Sequence, residues 1–209
     1  MNKIQQIYNK LYKKFNSQGW WPVISKDNKN HQFEISIGAI LTQNTSWSNV
    51  EKVIKKLDNK KLINKDSIKR LDTEELALLI RSSGYYNQKA KKIKAFINFL
   101  DSNQEISRIN LLNVYGLGPE TVDSILLYSY NKPYFVIDAY TKRIFSRLKI
   151  CSKEISYDDI QNIFVSNLEK NAEIYKEYHA LIVNLGKNYC KTKPLCESCC
   201  LNKICPKNL

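Results

Sequence analysis

The chain has 209 residues, 43% hydrophobic and 25% charged, a composition that suits a core-forming globular protein and excludes a disordered or collagen-like one. Thirty-three basic residues against 20 acidic ones leave a formal charge of +13, an excess that asks for a polyanionic partner, nucleic acid above all, with general lysine enrichment of a Lys- and Asn-rich proteome as the other source for part of it. No stretch approaches the ~20 apolar residues of a membrane span. Met1-Asn2-Lys3-Ile4-Gln5-Gln6 lacks a secretory apolar core, so no membrane association is expected, and the expected location is cytoplasmic, at the nucleoid in a prokaryote.

Helical periodicity dominates from the start. Ile4-Ile7-Leu11, Phe33-Ile37-Ile40-Leu41 and Val50-Val53-Ile54-Leu57 each make one apolar stripe. Further helices are expected over 74–80, 88–100, 109–114, 119–130, 139–148, 157–167 and 172–185. No run of strict alternation asks for a strand, so the fold class is all-α. Pro22, in Gly19-Trp20-Trp21-Pro22, and Pro133, in Asn131-Lys132-Pro133, interrupt the helical pattern and suggest two lobes, one of residues 22–133 and one of 1–21 with 134–209.

Leu112-Asn113-Val114-Tyr115-Gly116-Leu117-Gly118-Pro119-Glu120-Thr121-Val122 reads as a helix, a Gly-x-Gly turn and a second helix opened by proline at its first position. The two glycines permit positive φ and close backbone approach. Amides at the second helix's start can then face a phosphate, which grips DNA without reading bases. Taken alone, the segment serves equally as an ordinary helix–helix connector. Twenty residues after Gly118 comes Asp138, in Val136-Ile137-Asp138-Ala139-Tyr140-Thr141-Lys142-Arg143, placed to cap a helix.

The C-terminal cysteines run Cys190-x5-Cys196-x2-Cys199-x5-Cys205, with Cys200 outside the pattern. In a reducing compartment such a cluster reads as metal binding rather than disulfides. Four thiolates in so short a loop can enclose a [4Fe–4S] cluster. Structural zinc is the competing reading, although it usually presents two Cys-x-x-Cys pairs and only one is present here.

Together with Leu41-Thr42-Gln43-Asn44-Thr45 and Ser83-Gly84-Tyr85-Tyr86-Asn87-Gln88-Lys89-Ala90, these motifs follow an order in which the chain resembles the endonuclease III superfamily of helix-hairpin-helix base-excision glycosylases. The resemblance spans nearly the whole chain. It implies a six-helix barrel over 22–133 with the hairpin at 106–130, and a discontinuous helical domain holding an iron–sulfur loop at 190–205. The implied [4Fe–4S] ligands are Cys190, Cys196, Cys199 and Cys205. The first cysteine gap is one residue shorter than the family spacing, which leaves Cys200 as the rival to Cys199.

The resemblance makes Asp138 the catalytic carboxylate, since breaking an N-glycosidic bond builds oxocarbenium character that a negative charge stabilises. Bifunctional members attack C1′ with a lysine two residues after the hairpin's second glycine. Here that position is Glu120, and a carboxylate forms no Schiff base, so base removal by water without strand cleavage is expected. Lys89 and Lys132 are the other lysines to consider. Glu120 either favours the helix dipole or lines the base pocket. The catalytic glutamate of the superfamily's adenine glycosylases would fall at Ala39.

Trp-Trp-Pro, the Gln43 and Tyr85 motifs and Gly-x-Gly-x-Glu look like the 3-methyladenine DNA glycosylase branch, which holds its base in an aromatic sandwich. Trp20 and Trp47, then Trp21, are the stacking candidates, and core anchoring is the plainer role for each. An alkylated purine is cationic, and an indole face attracts it. Gln43 resembles the residue that fills the gap left by a flipped nucleotide, and Tyr85 the wedge against the opposite strand. Gly116, Gly118 and Thr121 of the hairpin and Lys191 and Lys193 of the cysteine loop are the remaining DNA-binding candidates. His31 and His179 show no metal spacing and receive no role. The expected partner is double-stranded DNA carrying a damaged base, bound by a monomer. The rival functions are an oxidised-pyrimidine or mismatch uracil/thymine glycosylase and a non-catalytic iron–sulfur DNA-binding protein.

Overall fold

The structure is a computed structural model and describes residues 2–207. Its described elements are helical: α1 (Lys3–Phe15), α2 (His31–Leu41), α3 (Trp47–Asn59), α4 (Lys65–Arg70), α5 (Thr73–Leu79), α6 (Tyr86–Asp101), α7 (Arg108–Leu112), α8 (Pro119–Ser124), α9 (Ala139–Arg147), α10 (Tyr157–Val165) and α11 (Ala172–Asn188), with no strand among the described residues. None of these helices is long and apolar enough to cross a membrane. The all-α expectation holds, and most helices fall where periodicity placed them.

Two elements differ from expectation. α4 carries a single buried residue, Ile68, so it presents no stripe to read; its N-terminus is made by Asn64, whose side chain accepts from Ser67 N. The helix expected over 119–130 changes character after Ser124, where a π-helical turn, Ile125–Ser129, continues α8.

Contacts divide the chain into two units, residues 1–20 with 133–209 and residues 21–132. In the second, the latter half of α2 is buried on all sides, with Ser36 to Leu41 sequestered without a break, and α3, α6, α8 and the π-helical turn pack around the helix. The hairpin helices are locked together by Arg108, which grips the fully buried Asp123 with Nε to Oδ1 at 2.8 Å and Nη2 to Oδ2 at 3.3 Å. In the first unit, Phe135 stacks on Phe164 with centroids 4.0 Å apart, and Tyr178 and Phe145 meet Phe164 edge-on. Each such pair adds about 0.5–1.5 kcal/mol beyond its buried area. The Tyr178 hydroxyl, buried among them, donates to Ile4 O and so ties α11 to α1.

Candidate functional site

Asp138 opens α9 as its N-cap. Its Oδ1 accepts from Thr141 N at 2.7 Å and from the Thr141 hydroxyl at 2.8 Å, while Oδ2 lies 3.6 Å from His179 Nε2 on α11. Burial by itself would raise this carboxyl's pKa. The His179 and Thr141 interactions outweigh that and hold it below the usual carboxylate value, so it is ionised at neutral pH. Trp20 meets the His179 ring edge-on, with centroids 5.9 Å apart.

Trp21, next in sequence, belongs to a different cluster. Its indole meets Trp47 at 5.4 Å and 85°, and Tyr128, from the π-helical turn, at 5.1 Å. It packs against α2 at Gly38, where a Cβ would stand 3.4 Å from the indole, an ordinary van der Waals contact. Buried Glu34 accepts from Ile24 N at 2.6 Å and Ser25 N at 2.9 Å, and His31 Nε2 meets Ser25 O at 2.8 Å, so α2 holds the segment that follows Pro22. Of the three tryptophans, Trp21 and Trp47 thus share one cluster and Trp20 does not. Tyr128 and Glu34 escaped the sequence reading, and His31 and His179 received no role in it. Tyr128 sits more than a hundred residues from Trp21 and looks like ordinary helix core, so only the fold reveals it.

The hairpin brings together three DNA-binding candidates. Gln43 Nε2 donates to Gly116 O at 3.1 Å and to Thr121 Oγ1 at 2.9 Å, and its Oε1 accepts from Lys92 Nζ at 2.6 Å. Gly116 has φ +77 and lies against the Lys92 methylenes, so both reasons for glycine apply. Gly118 does not use the positive φ that glycine permits. It is extended, with φ −91 and ψ 173, and a Cβ there would meet nothing. Its conformation is ordinary because it serves as the N-cap of α8, where an extended backbone is the norm.

Tyr85 is 71% exposed and adopts the left-handed region (φ 47, ψ 31) at the start of α6, an unfavourable conformation for an aromatic residue. Glu120 is exposed in the first turn of α8. The two rival lysines are committed elsewhere. Lys89 is buried, its ammonium donates to Leu41 O at 2.8 Å and Ser83 O at 2.7 Å, and burial lowers its pKa to about 8. The Lys132 ammonium donates to Ile106 O.

Cys190, Cys196, Cys199 and Cys205 line one cavity of about 30 Å³, walled also by Ile144, Leu148, Leu185 and Leu201; Cys200 is not in its wall. The Cys200 thiol hydrogen-bonds Cys199 and lowers that thiol to about 6, which favours its thiolate, while Cys200 is itself pushed up. Arg147 fastens the loop's start, donating to Cys190 Sγ at 3.3 Å, Lys191 O at 2.6 Å and Thr192 O at 3.0 Å. Lys191 and Lys193 are exposed. Among the described residues, no three His, Cys, Asp or Glu side chains close around one point as a single-ion site requires.

Residues 37–170 match the model of the HhH-GPD superfamily base excision DNA repair proteins. A Methanocaldococcus jannaschii protein provisionally named a DNA repair glycosylase is 43% identical over 98% of this chain and 97% of its own length. Endonuclease III of Sulfolobus acidocaldarius is 31% identical, covering 83% and 81%. Among solved structures, an endonuclease III–DNA complex superposes with a TM-score of 0.84 at 24% identity, covering 99% of this chain and 97% of the other. The H. pylori 3-methyladenine DNA glycosylase bound to 1,N6-ethenoadenine superposes with a TM-score of 0.76 at 28% identity, covering 89% and 98%.

Proposed function

Since the chain belongs to the HhH-GPD superfamily of base excision DNA repair proteins and is a DNA glycosylase, we propose that it removes N-alkylated purines by hydrolysis and leaves the abasic strand intact. The observation that carries the substrate class is the cluster of Trp21, Trp47 and Tyr128. Electron-rich rings attract a cationic base by cation–π interaction, worth up to about 2 kcal/mol or more when desolvated. The likeness to the H. pylori 3-methyladenine enzyme supports the same class.

The chemistry asks little of the protein. An N-alkylated purine carries its positive charge into the bond being broken, takes both electrons and departs neutral, so no strong general acid is needed. Asp138, ionised, stabilises the oxocarbenium ion left on the sugar. Water then bonds to C1′ and gives its proton to Asp138 or to solvent. What supports hydrolysis without a Schiff base is Glu120 at the hairpin position and the engagement of Lys89 and Lys132 with backbone carbonyls.

Four thiols in the wall of one cavity, with a single Cys-x-x-Cys pair where structural zinc usually presents two, support a [4Fe–4S] cluster with Cys190, Cys196, Cys199 and Cys205 as ligands. Bound there, the cluster would brace the loop that presents Lys191 and Lys193 to the DNA backbone.

The test is a panel of duplexes carrying 7-methylguanine, 3-methyladenine, oxidised pyrimidines, and uracil or thymine mismatches, scored with and without alkaline cleavage. Wild-type protein should release methylated purine and leave alkali-sensitive strands, and Asp138→Asn should lose at least about 100-fold in rate. Failure to release any methylated purine overturns the substrate class. Covalent trapping of the DNA by borohydride overturns the hydrolytic mechanism.

A further inference from the structure

The geometry points to His179 as the positioning residue for the Asp138 carboxylate, with Trp20 as its backstop; this rests on Asp138 being the reaction's carboxylate. A carboxylate directed at a developing cation must present a fixed oxygen, and one anchored through a single oxygen can pivot about it. Both donors from Thr141 converge on Oδ1. Oδ2 is faced by His179 Nε2 at 3.6 Å, too far for a direct hydrogen bond and within ion-pair range.

His179 is itself immobilised. It is 5% exposed, and it lies in the unbroken buried run from Tyr178 to Val183. Trp20 packs on its ring in a T-shaped pair, with centroids 5.9 Å apart, and so restricts its rotation. The sequence gives neither residue this part: the histidine lies 41 positions beyond Asp138 without metal spacing, and Trp20 reads as a stacking platform. The arrangement assigns Trp20 to holding the carboxylate's neighbour, while Trp21 and Trp47 serve the base.

The experiment measures single-turnover excision from a 7-methylguanine duplex and, separately, affinity for that duplex, in His179→Gln, His179→Asn, His179→Phe and Trp20→Leu, with folding followed by thermal melting. His179→Gln, whose amide nitrogen can approach the Nε2 position, should stay within about fivefold of the wild-type rate. His179→Asn, too short to reach, and His179→Phe, without a donor, should fall roughly 10- to 100-fold with affinity changed less than about twofold; Trp20→Leu should fall less. A variant that does not fold drops out, and the Gln and Asn pair, both neutral amides, still separates reach from bulk. Wild-type rates in every folded variant overturn the proposal. Equal loss of rate and affinity makes His179 scaffold and also overturns it. A fully active Asp138→Asn overturns the reading beneath, a separate outcome.

Discussion

Lys92 Nζ donates to Gln43 Oε1 at 2.6 Å while the methylenes of the same lysine lie across Gly116, so one side chain joins the candidate gap-filling residue to the turn of the hairpin. Gln43 is held on its other side by Gly116 O and Thr121 Oγ1. With Gln43 in the proposed role, this network arranges it before DNA arrives. A charge-assisted hydrogen bond is worth about 1.5–3 kcal/mol. Lys92→Met should leave the fold intact and lower the extent of base flipping about 10-fold, read by fluorescence of a base analogue beside the lesion. Unchanged flipping would leave Lys92 with a packing role alone.

The hairpin glycines should separate under substitution. Gly116→Ala forces a side chain into positive φ and onto Lys92, and should cost about 1–2 kcal/mol or more in denaturant unfolding. Gly118→Ala adds a methyl group in open space at an ordinary backbone conformation. Its unfolding free energy should stay within ~0.5 kcal/mol, while affinity for duplex DNA falls if the backbone approaches there. Equal destabilisation by both would contradict this account of the turn.

Lys89 makes stability depend on alkaline pH. Burial lowers its folded pKa from 10.5 to about 8, so below pH 8 folding carries the full cost of an unfavourably placed ammonium. Between about 8 and 10.5 the folded protein has released this proton and the unfolded chain still binds it, so the cost fades as pH rises. Its full size is on the order of 3 kcal/mol. Melting from pH 7 to 10.5 should therefore show wild type gaining on Lys89→Met. Parallel curves would place the folded pKa near its ordinary value.

The cysteine loop gives a direct comparison. With Cys199 in the cavity wall and Cys200 outside it, Cys199→Ser should lower bound iron and sulfide, measured chemically on purified protein, and Cys200→Ser should retain about four irons per chain. The reverse result would exchange the two residues. Zinc in place of iron would remove the cluster.

The superfamily, the helical class and most helix positions were legible in the sequence, because they rest on local signals: apolar spacing, a proline at a helix start, glycines in a turn, and cysteines close along the chain. α4 and the π-helical turn were less legible, the first because one buried residue makes no stripe and the second because its composition is that of any core helix.

The candidate site divides along the same line. Asp138 and Glu120 could be singled out through the family resemblance, from their positions after the hairpin's second glycine. What surrounds them could not. His179 faces Asp138, Tyr128 joins Trp21, and Lys92 holds Gln43 across separations of 41, 107 and 49 residues, and no local pattern carries that information. The sequence ranked Trp20 ahead of its neighbour Trp21 as a stacking partner of Trp47, and the structure sends Trp20 to His179 and Trp21 to Trp47. The sequence by itself thus determined which chemical groups the protein owns and the local structure that carries them. Tertiary packing decided which of those groups meet, because neighbours in space are chosen by helices burying their faces against one another, over distances that no short-range pattern spans.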